Sequence, residues 1–263
     1  MSTVTALLST YHGTVPDQLA EALQSLAEQT RPADEVVVVF DGPVAEGVEG
    51  VVEKYGARVV RCAENRGAGP ALQSGLEAID SEFVARLDTD DKAFPQRIEQ
   101  QLEFLQQHPE VSVVGTAVQE FDGERTGGIR RLPEHPEHYA KMNSPMNHPS
   151  VMYRTADVKA VGGYQDVHLM EDYDLFARLI AEGYTLYNMQ EPLTYFRVTD
   201  EQFDRRTGSD MFTSEVDMQI RLVRYGLIGR TRAMVNVAVR TLYRLLPKPL
   251  LKRVYARLFH RAG

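Results

Sequence analysis

Residues 83–91 read Phe-Val-Ala-Arg-Leu-Asp-Thr-Asp-Asp, a short apolar run that leads directly into three carboxylates. Such a run is typical of a buried strand in a parallel sheet. Three carboxylates within four residues repel one another unless a cation neutralises them, and their oxygens suit Mg²⁺ or Mn²⁺. A turn followed by a helix N-cap at Asp91 would explain one acid but not three. The segment therefore favours a metal site at the end of a strand.

The sequence on either side alternates between two hydrophobic periods. Short β-branched runs predict strands, and apolar residues at helical spacing predict helices between them. The predicted strands are Val4–Ser9, Glu35–Phe40, Ala57–Arg61, Phe83–Leu87 and Val111–Gly115, and the predicted helices are Pro16–Gln29, Gly69–Ile79 and Phe94–Gln107. This alternation indicates an α/β protein with a mostly parallel sheet. Ligands of such sheets bind beyond the carboxyl ends of the strands, so we look for chemistry there.

Two other strand ends also carry polar residues. Ser9-Thr10-Tyr11 follows the first predicted strand, and Asp41-Gly42-Pro43 follows the second. A tyrosine ring can stack on a nucleobase, and a carboxylate can accept a hydrogen bond from a base N–H. The segment 65–70, with Arg66 and two glycines, opens a helix and can bind phosphate through backbone amides. Each pattern is common in ordinary turns, but together with the three carboxylates they predict a nucleotide-diphosphate site.

A second acidic cluster, Glu171-Asp172-Tyr173-Asp174, begins a further predicted helix. Asp172 can serve there as a general base toward an acceptor hydroxyl, a role that contributes about 10²–10⁴-fold in rate. Acidic residues also stabilise the first turn of a helix through its dipole. The residues alone leave both interpretations open.

His148 and Arg178 are weaker candidates. His148 precedes Pro149 and can contact phosphate or sugar, although a histidine in a loop more often has only local hydrogen-bond partners. Arg178 lies six residues after Asp172 and therefore off that residue's face of the helix. We expect Arg178 on the helix surface.

The net charge of −8 is unevenly distributed along the chain. From Ile220 to Gly263 there are eleven basic residues and no acidic one, which leaves 18 basic against 37 acidic residues before it. Residues 252–261 place basic and apolar side chains on opposite halves of a helix, as in amphipathic helices that bind anionic membranes. Docking of this helix on the core is the alternative. Nucleic acid is not an expected partner, because the acidic body would repel it.

Composition excludes several other classes of protein. With 43% hydrophobic and 25% charged residues the chain is neither disordered nor low in complexity. A single cysteine excludes a disulfide framework and a multi-cysteine zinc site. We see no signal-peptide pattern and no run of 18 apolar residues, so we expect a cytoplasmic protein. The basic C-terminal helix predicts that it is peripheral on the inner face of the cell membrane.

Taken in order, the motifs resemble those of family 2 glycosyltransferases, in particular bacterial exopolysaccharide transferases of the amylovoran type. The shared elements are Ser9-Thr10-Tyr11, Asp41-Gly42-Pro43, Asn65-Arg66-Gly67, Asp88-Thr89-Asp90-Asp91, Gly162-Gly163-Tyr164 and Glu171-Asp172-Tyr173-Asp174. Each element is common, but their order and spacing over about residues 3–200 are specific. The resemblance implies a GT-A domain at 1–205, with a nucleotide-binding half (1–117) and an acceptor half (118–205). A helical basic extension would follow at 206–263.

The resemblance also implies roles in the donor site. Ser9 and Tyr11 would border the nucleobase, and Asp41 would accept a hydrogen bond from its ring N–H. Asp88 would lie near the ribose. Asp90 would coordinate the Mn²⁺ or Mg²⁺ that bridges the diphosphate, and Arg66 remains a candidate for phosphate.

On the acceptor side, the resemblance implies that Asp172 is the base of an inverting reaction, with Glu171 beside it as a weaker candidate. In the donor site, Asp91 is the alternative to Asp90 as the metal ligand. The implied substrates are a nucleotide-diphosphate sugar, expected to be a UDP-sugar, and a glycan or polyprenyl-linked acceptor. An anionic membrane surface is the expected partner of the C-terminal helices.

Two departures from the family pattern bear on the reaction. Many members carry two acids after the second strand, whereas Phe40 precedes Asp41 here. The Gln-x-x-Arg-Trp signature of processive synthases is missing, since the chain contains no tryptophan. The first departure leaves one carboxylate for the nucleobase. The second, with no expected membrane-spanning helix, favours the transfer of a single sugar.

Two functions other than glycosyl transfer are also considered for this sequence. A sugar-phosphate nucleotidyltransferase would require a Gly-rich basic loop after the first strand, which residues 9–13 do not provide. A catalytically silent, membrane-associated protein of the same fold is disfavoured by the presence of Asp88, Asp90 and Asp172.

Overall fold

The computed structural model describes residues 2–123, 125–198 and 209–244. The strands in this part of the chain are β1 (Val4–Thr10), β2 (Glu35–Phe40), β3 (Arg58–Arg61), β4 (Phe83–Arg86), β5 (Lys92–Ala93), β6 (Val111–Phe121), β7 (Thr126–Arg130), β8 (Met152–Arg154) and β9 (Thr185–Arg197). They form one mixed sheet in the order β3-β2-β1-β4-β8-β6-β9-β5, with β7 paired to β6.

Helices cover the two faces of this sheet. They are α1 (Pro16–Ala27), α2 (Val48–Lys54), α3 (Ala68–Glu77), α4 (Arg97–Gln107), α5 (Thr155–Ala160), α6 (Glu171–Ala181), α7 (Ser209–Arg224) and α8 (Arg230–Arg244). Two short 3-10 helices lie at Tyr139–Lys141 and His148–Ser150. Helix α2 is not among the predicted elements, because it has only two turns and contains Gly50.

The first half of the sheet is parallel, as predicted. Strands β3, β2, β1 and β4 pair in parallel, and Thr10, Phe40 and Arg61 lie in register. Alternate residues of β1 enter different cores: Leu8 packs in a core with α1, α2 and α4, and Leu7 in a core with α3, α5 and α6. Burial on both faces explains why these strands are continuous apolar runs.

The second half of the sheet is mixed. Strand β8 is antiparallel to β4 and β6, whereas β6 and β9 run parallel. The strand predicted at Val111–Gly115 continues to Phe121. Sequence periodicity underestimated its length because Thr116 and Glu120 are polar, although both are buried against neighbouring strands.

The C-terminal helices pack on the body of the molecule. Val167, Met170 and Tyr173 form a third apolar core with Met218 and Leu222 of α7. The amphipathic segment predicted at residues 252–261 lies outside the described residues. Within residues 2–123, 125–198 and 209–244, no helix combines the length and apolar character needed to cross a bilayer.

Candidate active site

Asp41 joins the carboxyl ends of three strands. Its backbone N–H donates to the carbonyl of Thr10 (2.8 Å), and its carboxylate accepts from the backbone N–H groups of Arg66 (2.8 Å) and Gly67 (2.9 Å). Gly42 has a φ of +73°, and a Cβ there would lie 2.5 Å from the backbone N of Asn65. Asp41 is only 4% exposed. The structure thus shows that Asp41 holds the 65–67 loop, a role that the sequence analysis missed; its hydrogen bond to a base stays a prediction.

Tyr11 lies just beyond the end of β1 with 39% of its surface exposed. Thr14 closes this turn: its N–H donates to the Tyr11 carbonyl, and its Oγ1 accepts from the Tyr11 N–H. The ring meets His12 edge-on at 5.2 Å between centroids. Ser9 is partly buried in the same strand end, and Arg66 is exposed. This edge of the sheet offers an aromatic ring and a cation to a ligand.

The three carboxylates after β4 form one cluster. Oxygens of Asp88, Asp90 and Asp91 all lie within 4.8 Å of one another. Burial, with the Asp88 charge next in effect, raises the pKa of Asp90 to about 6, and burial with both neighbouring acids raises the pKa of Asp91 well above its ordinary value. Such crowding destabilises three ionised groups and is relieved by a cation.

Asp91 is the deepest member of this cluster. Its Oδ1 accepts from the N–H of Arg197 (2.7 Å), whereas its buried Oδ2 has no hydrogen-bond partner among the residues that the structure describes. The alternative role of Asp91 as a helix N-cap is wrong, because α4 begins at Arg97. A buried carboxylate oxygen without a partner, beside two further carboxylates, fits a divalent cation.

Arg86 lies beneath both acidic clusters. It is buried in β4, and its Nη1 pairs with Asp88 Oδ1 at 2.5 Å. Its charge also lowers the pKa values of Asp91 and Asp172, against the effect of burial. The sequence analysis gave Arg86 no role, although an arginine in the middle of an apolar strand is a signal that could have found it.

Arg197 closes the turn that carries the three acids. Its Nε donates to the carbonyl of Asp90 (2.8 Å), and its Nη2 pairs with Glu21 of α1 (2.9 Å). It stands at the end of β9, 106 residues after Asp91. No local sequence signal connects the two, so sequence reasoning missed this contact.

The second acidic cluster begins α6. Asp172 Oδ2 accepts a hydrogen bond from Ser144 Oγ at 3.0 Å. Burial raises the pKa of Asp172, and the bond from Ser144 opposes that rise. Burial and the Asp172 charge raise the pKa of Glu171 to about 7. Glu171 can therefore exchange protons near neutral pH.

Helix α3 begins beside this second cluster. A Cβ on Gly69 would lie 3.2 Å from Cβ of Glu171 and would collide with the carbonyl oxygen of Gln165. Only a glycine permits this approach of the two helix starts. The loop held by Asp41 and the acids of α6 thus meet at the same edge of the sheet.

The structure places His148 and Arg178, two of the three weaker candidates, in the interior. His148 is buried, its Nε2 lies 3.0 Å from Tyr164 Oη, and burial together with Arg86 lowers its pKa well below the ordinary value. The local partner considered for His148 is thus confirmed. The surface position expected for Arg178 is wrong: it is 8% exposed, pairs with Asp174 (2.8 Å) and donates to the carbonyl of Gly163 (2.6 Å). The 161–163 loop covers this face of α6.

The chain is similar to known proteins over most of its length. Residues 5–160 match the family described as Glycosyl transferase family 2. The chain belongs to this family. It is 34% identical over 256 residues to the amylovoran biosynthesis glycosyltransferase AmsE of Erwinia amylovora, covering 95% of this chain and 96% of that protein. It is 31% identical over 264 residues, covering 97% and 96%, to an Escherichia coli protein named UDP-Gal:alpha-D-GlcNAc-diphosphoundecaprenol beta-1,3-galactosyltransferase.

Solved structures share the fold at lower identity. The S. aureus TarS fragment 1–349 in complex with UDP-GlcNAc superposes with a TM-score of 0.68 at 18% identity, over 92% of this chain and 72% of that one. The mannosyltransferase PcManGT from Pyrobaculum calidifontis, in complex with GDP-Man and Mn²⁺, gives a TM-score of 0.65 at 18% identity, over 97% and 79%. The chain therefore has the GT-A fold and is a glycosyltransferase, as the motifs predicted, rather than a nucleotidyltransferase.

Proposed function

We propose that this glycosyltransferase transfers one sugar, with inversion, from a nucleotide-diphosphate sugar to a glycan or polyprenyl-linked acceptor in cell-surface polysaccharide synthesis. The observation that carries the proposal is the pair of acidic clusters, Asp88–Asp91 and Glu171–Asp172, around the buried Arg86. The names of the relatives support the substrate classes, since one is named for amylovoran biosynthesis and another for UDP-Gal and a diphosphoundecaprenol acceptor.

The donor subsite is proposed at the carboxyl ends of β1, β2 and β4. Ser9 and the exposed ring of Tyr11 border the nucleobase, and Asp41 contributes both a base contact and the hold on the 65–67 loop. Arg66 and the backbone amides at the start of α3 face the diphosphate. We favour a UDP-sugar, and the UDP-GlcNAc complex of TarS, which shares the fold, is consistent with it.

Asp90 and Asp91 are the proposed ligands of Mn²⁺ or Mg²⁺, with Asp88 beside them near the ribose. The Oδ2 of Asp91, for which the described part of the chain offers no hydrogen-bond partner, supports this assignment. Bound there, a divalent ion would offset the negative charge that develops on the departing nucleoside diphosphate. Arg197 fixes the turn from the opposite side by binding the Asp91 side chain and the Asp90 carbonyl.

Asp172 is the proposed general base. Its carboxylate takes the proton of the acceptor hydroxyl, the acceptor oxygen attacks the anomeric carbon, and the bond to the diphosphate breaks on the opposite face. Ser144 orients the carboxylate by donating to Oδ2. Glu171, with its pKa raised to about 7, is placed to exchange protons with the same site.

An anionic membrane surface is the proposed partner of the C-terminal extension. Helix α8 exposes Met234, Val235, Val239 and Leu242 along one side and contains four arginines and no acidic residue. An exposed apolar stripe with basic neighbours is suited to an interfacial helix. We therefore propose a GT-A domain (1–205) with a basic extension (206–263) that binds the inner face of the cell membrane. A polyprenyl-linked acceptor would be located at the same surface.

Transfer assays with the full chain test the proposal. A panel of nucleotide sugars is screened by thermal shift with Mn²⁺ or Mg²⁺, since a ligand at 100 times its Kd stabilises by about 2.7 kcal/mol. The donor found is then used with a polyprenyl-diphosphate-linked sugar, and the anomeric configuration of the product is read by NMR. We expect inversion. A retained configuration contradicts the mechanism.

The variant Asp172→Asn identifies the base. We expect transfer to fall by about 10²–10⁴-fold while the donor-induced thermal shift is kept. Asp166→Asn, an exposed acid six residues earlier, is the matched control and should keep wild-type transfer. Full activity in Asp172→Asn would refute the assignment, and a wild-type chain that binds donor but transfers nothing would support a catalytically silent protein.

A further inference from the structure

Residues 140–144 lead to the partner of the proposed general base and are here called the base loop. Three consecutive backbone carbonyl groups of this loop each accept a hydrogen bond from a side chain distant in sequence. The bonds run from Tyr173 Oη to the carbonyl of Ala140 (2.5 Å), from Asn236 Nδ2 to that of Lys141 (2.8 Å) and from Arg240 Nη1 to that of Met142 (2.6 Å). Two of the three donors belong to α8, about a hundred residues further along the chain. The C-terminal extension thus fixes the backbone of this loop.

The base loop carries the hydrogen-bond partner of the proposed base. Ser144 lies two residues after Met142, and its Oγ donates to Asp172 Oδ2 at 3.0 Å. On the far side of Ser144, the carbonyl of Pro145 accepts from Asn188 Nδ2 at 2.9 Å. Ser144 is therefore placed by anchored backbone on both sides, and α8 supplies the anchors on one of them.

Asn236 is a buried polar residue of α8 that binds both the base loop and α7. This side chain is 1% exposed, and its Nδ2 donates both to the loop and to Gln219 Oε1 of α7 (2.8 Å). Arg240 pairs with the buried Glu215 of α7 while it binds the loop. Both ends of the Asn236 amide have partners, since its Oδ1 also accepts from Arg232 Nε at 3.1 Å. A buried amide that is hydrogen-bonded at both ends stabilises one arrangement of helices and loop over others.

We propose that α8 is a positioning element of the catalytic site, in which Asn236 and Arg240 hold the base loop so that Ser144 orients Asp172. This inference rests on the proposed function of Asp172. It gives the helix two faces with different tasks: the polar face reaches the base loop, and the apolar face carries Met234 and Leu242 outward. Docking of α8 on the membrane would therefore act on the helix that orders the base.

The variant Asn236→Ala tests the proposal. We expect kcat for sugar transfer to fall about ten- to a hundredfold, because a misplaced catalytic group is costly, with the donor KM unchanged within about twofold. Thr231→Ala, on the exposed side of α8, is the control and should keep wild-type kcat. Loss of donor affinity with unchanged kcat would overturn the proposal.

A double-mutant cycle separates positioning from simple stabilisation. Ser144→Ala removes the group through which Asn236 is proposed to act, so Asn236→Ala should change kcat less than about twofold in that background. Independent, multiplicative losses would overturn the proposal. The donor-induced thermal shift verifies that each variant is folded, and if Asn236→Ala does not fold, Arg240→Met replaces it in the same cycle.

Failure of the proposed function can be distinguished from failure of the proposed positioning role of α8. If the wild-type chain transfers no sugar, or Asp172→Asn keeps full activity, the base assignment fails before the cycle is read. If wild type transfers and Asp172→Asn does not, while Asn236→Ala keeps wild-type kcat, the positioning role of α8 is wrong and the proposed function stands.

Discussion

Among single residues, Asp91 combines nearly complete burial with a carboxylate that is bound on one oxygen only within the described residues. Its Oδ1 is bound by the N–H of Arg197, and its Oδ2 has no partner within the described residues. A pKa above the ordinary value means that the folded state holds its proton more tightly than the unfolded state does. Without a metal, stability therefore falls as the pH rises from about 4 toward the raised pKa values of Asp91 and Asp90, the latter about 6.

Asp91→Asn should therefore stabilise the metal-free protein at pH 7.5 and remove its response to metal. The amide keeps an acceptor for Arg197 and carries no charge, so we expect a gain of about 1 kcal/mol, or roughly 2–4 °C in Tm. Wild type should gain Tm with Mn²⁺, and more at pH 7.5 than at pH 5, whereas the variant should not. Asp80→Asn, an exposed acid before β4, is the control. A wild-type Tm unaffected by Mn²⁺ would contradict the metal assignment.

At the scale of elements, one buried carboxylate joins α6 to α7. Asp174 is fully buried and pairs with Arg178 (2.8 Å) on its own helix, and on the α7 side with Arg221 (3.4 Å) and the hydroxyl of Tyr225 (2.7 Å). Asp217 also pairs with Arg221 (2.8 Å), but its side chain is 48% exposed. Two acids thus share one arginine in very different surroundings.

Asp174→Ala should destabilise the protein by about 3–5 kcal/mol, because Arg178 stays buried without its partner. Asp217→Ala should cost less than about 1 kcal/mol, since an exposed ion pair is screened by water. Urea unfolding of the two variants measures both values. Equal losses of unfolding free energy in the two variants would contradict the prediction that the buried ion pair contributes more than the exposed one.

At the scale of the whole molecule, charge is divided between an acidic body and a basic C-terminal extension. The acidic residues lie before position 220, and the eleven basic residues of positions 220–263 include those of α8. The apolar side chains that α8 leaves exposed lie on that basic extension. A vesicle surface of anionic lipid matches both properties.

Vesicles with 30% anionic lipid should bind the full chain, and zwitterionic vesicles should bind it much more weakly. Replacing Met234 and Leu242 by Gln should lower vesicle affinity by at least about tenfold, since each change removes about 1.5–3 kcal/mol of apolar burial. Val15→Gln, at an exposed apolar residue before α1, is the control. Cosedimentation measures the binding, and equal binding by all three proteins would contradict the membrane role.

Much of the fold was predictable from local pattern. Strand β2 begins and ends where the apolar run Glu35–Phe40 predicted, because a strand buried on both faces leaves an uninterrupted apolar signature. The acids after β4 and at the start of α6 were found because their residue types and spacing are local properties. Arg178 was misplaced, since periodicity gives the face of a helix but not what covers that face.

The sequence by itself determined the strands of the parallel half of the sheet and the two acidic clusters, because each of these depends on residues within one short segment. The order of the motifs along the chain pointed to the family. Only the tertiary structure brought Arg197 to Asp91, Ser144 to Asp172, and Asn236 and Arg240 to the base loop. These contacts join residues 28 to 106 positions apart. Their formation depends on how sheet and helices pack, and no local pattern encodes it.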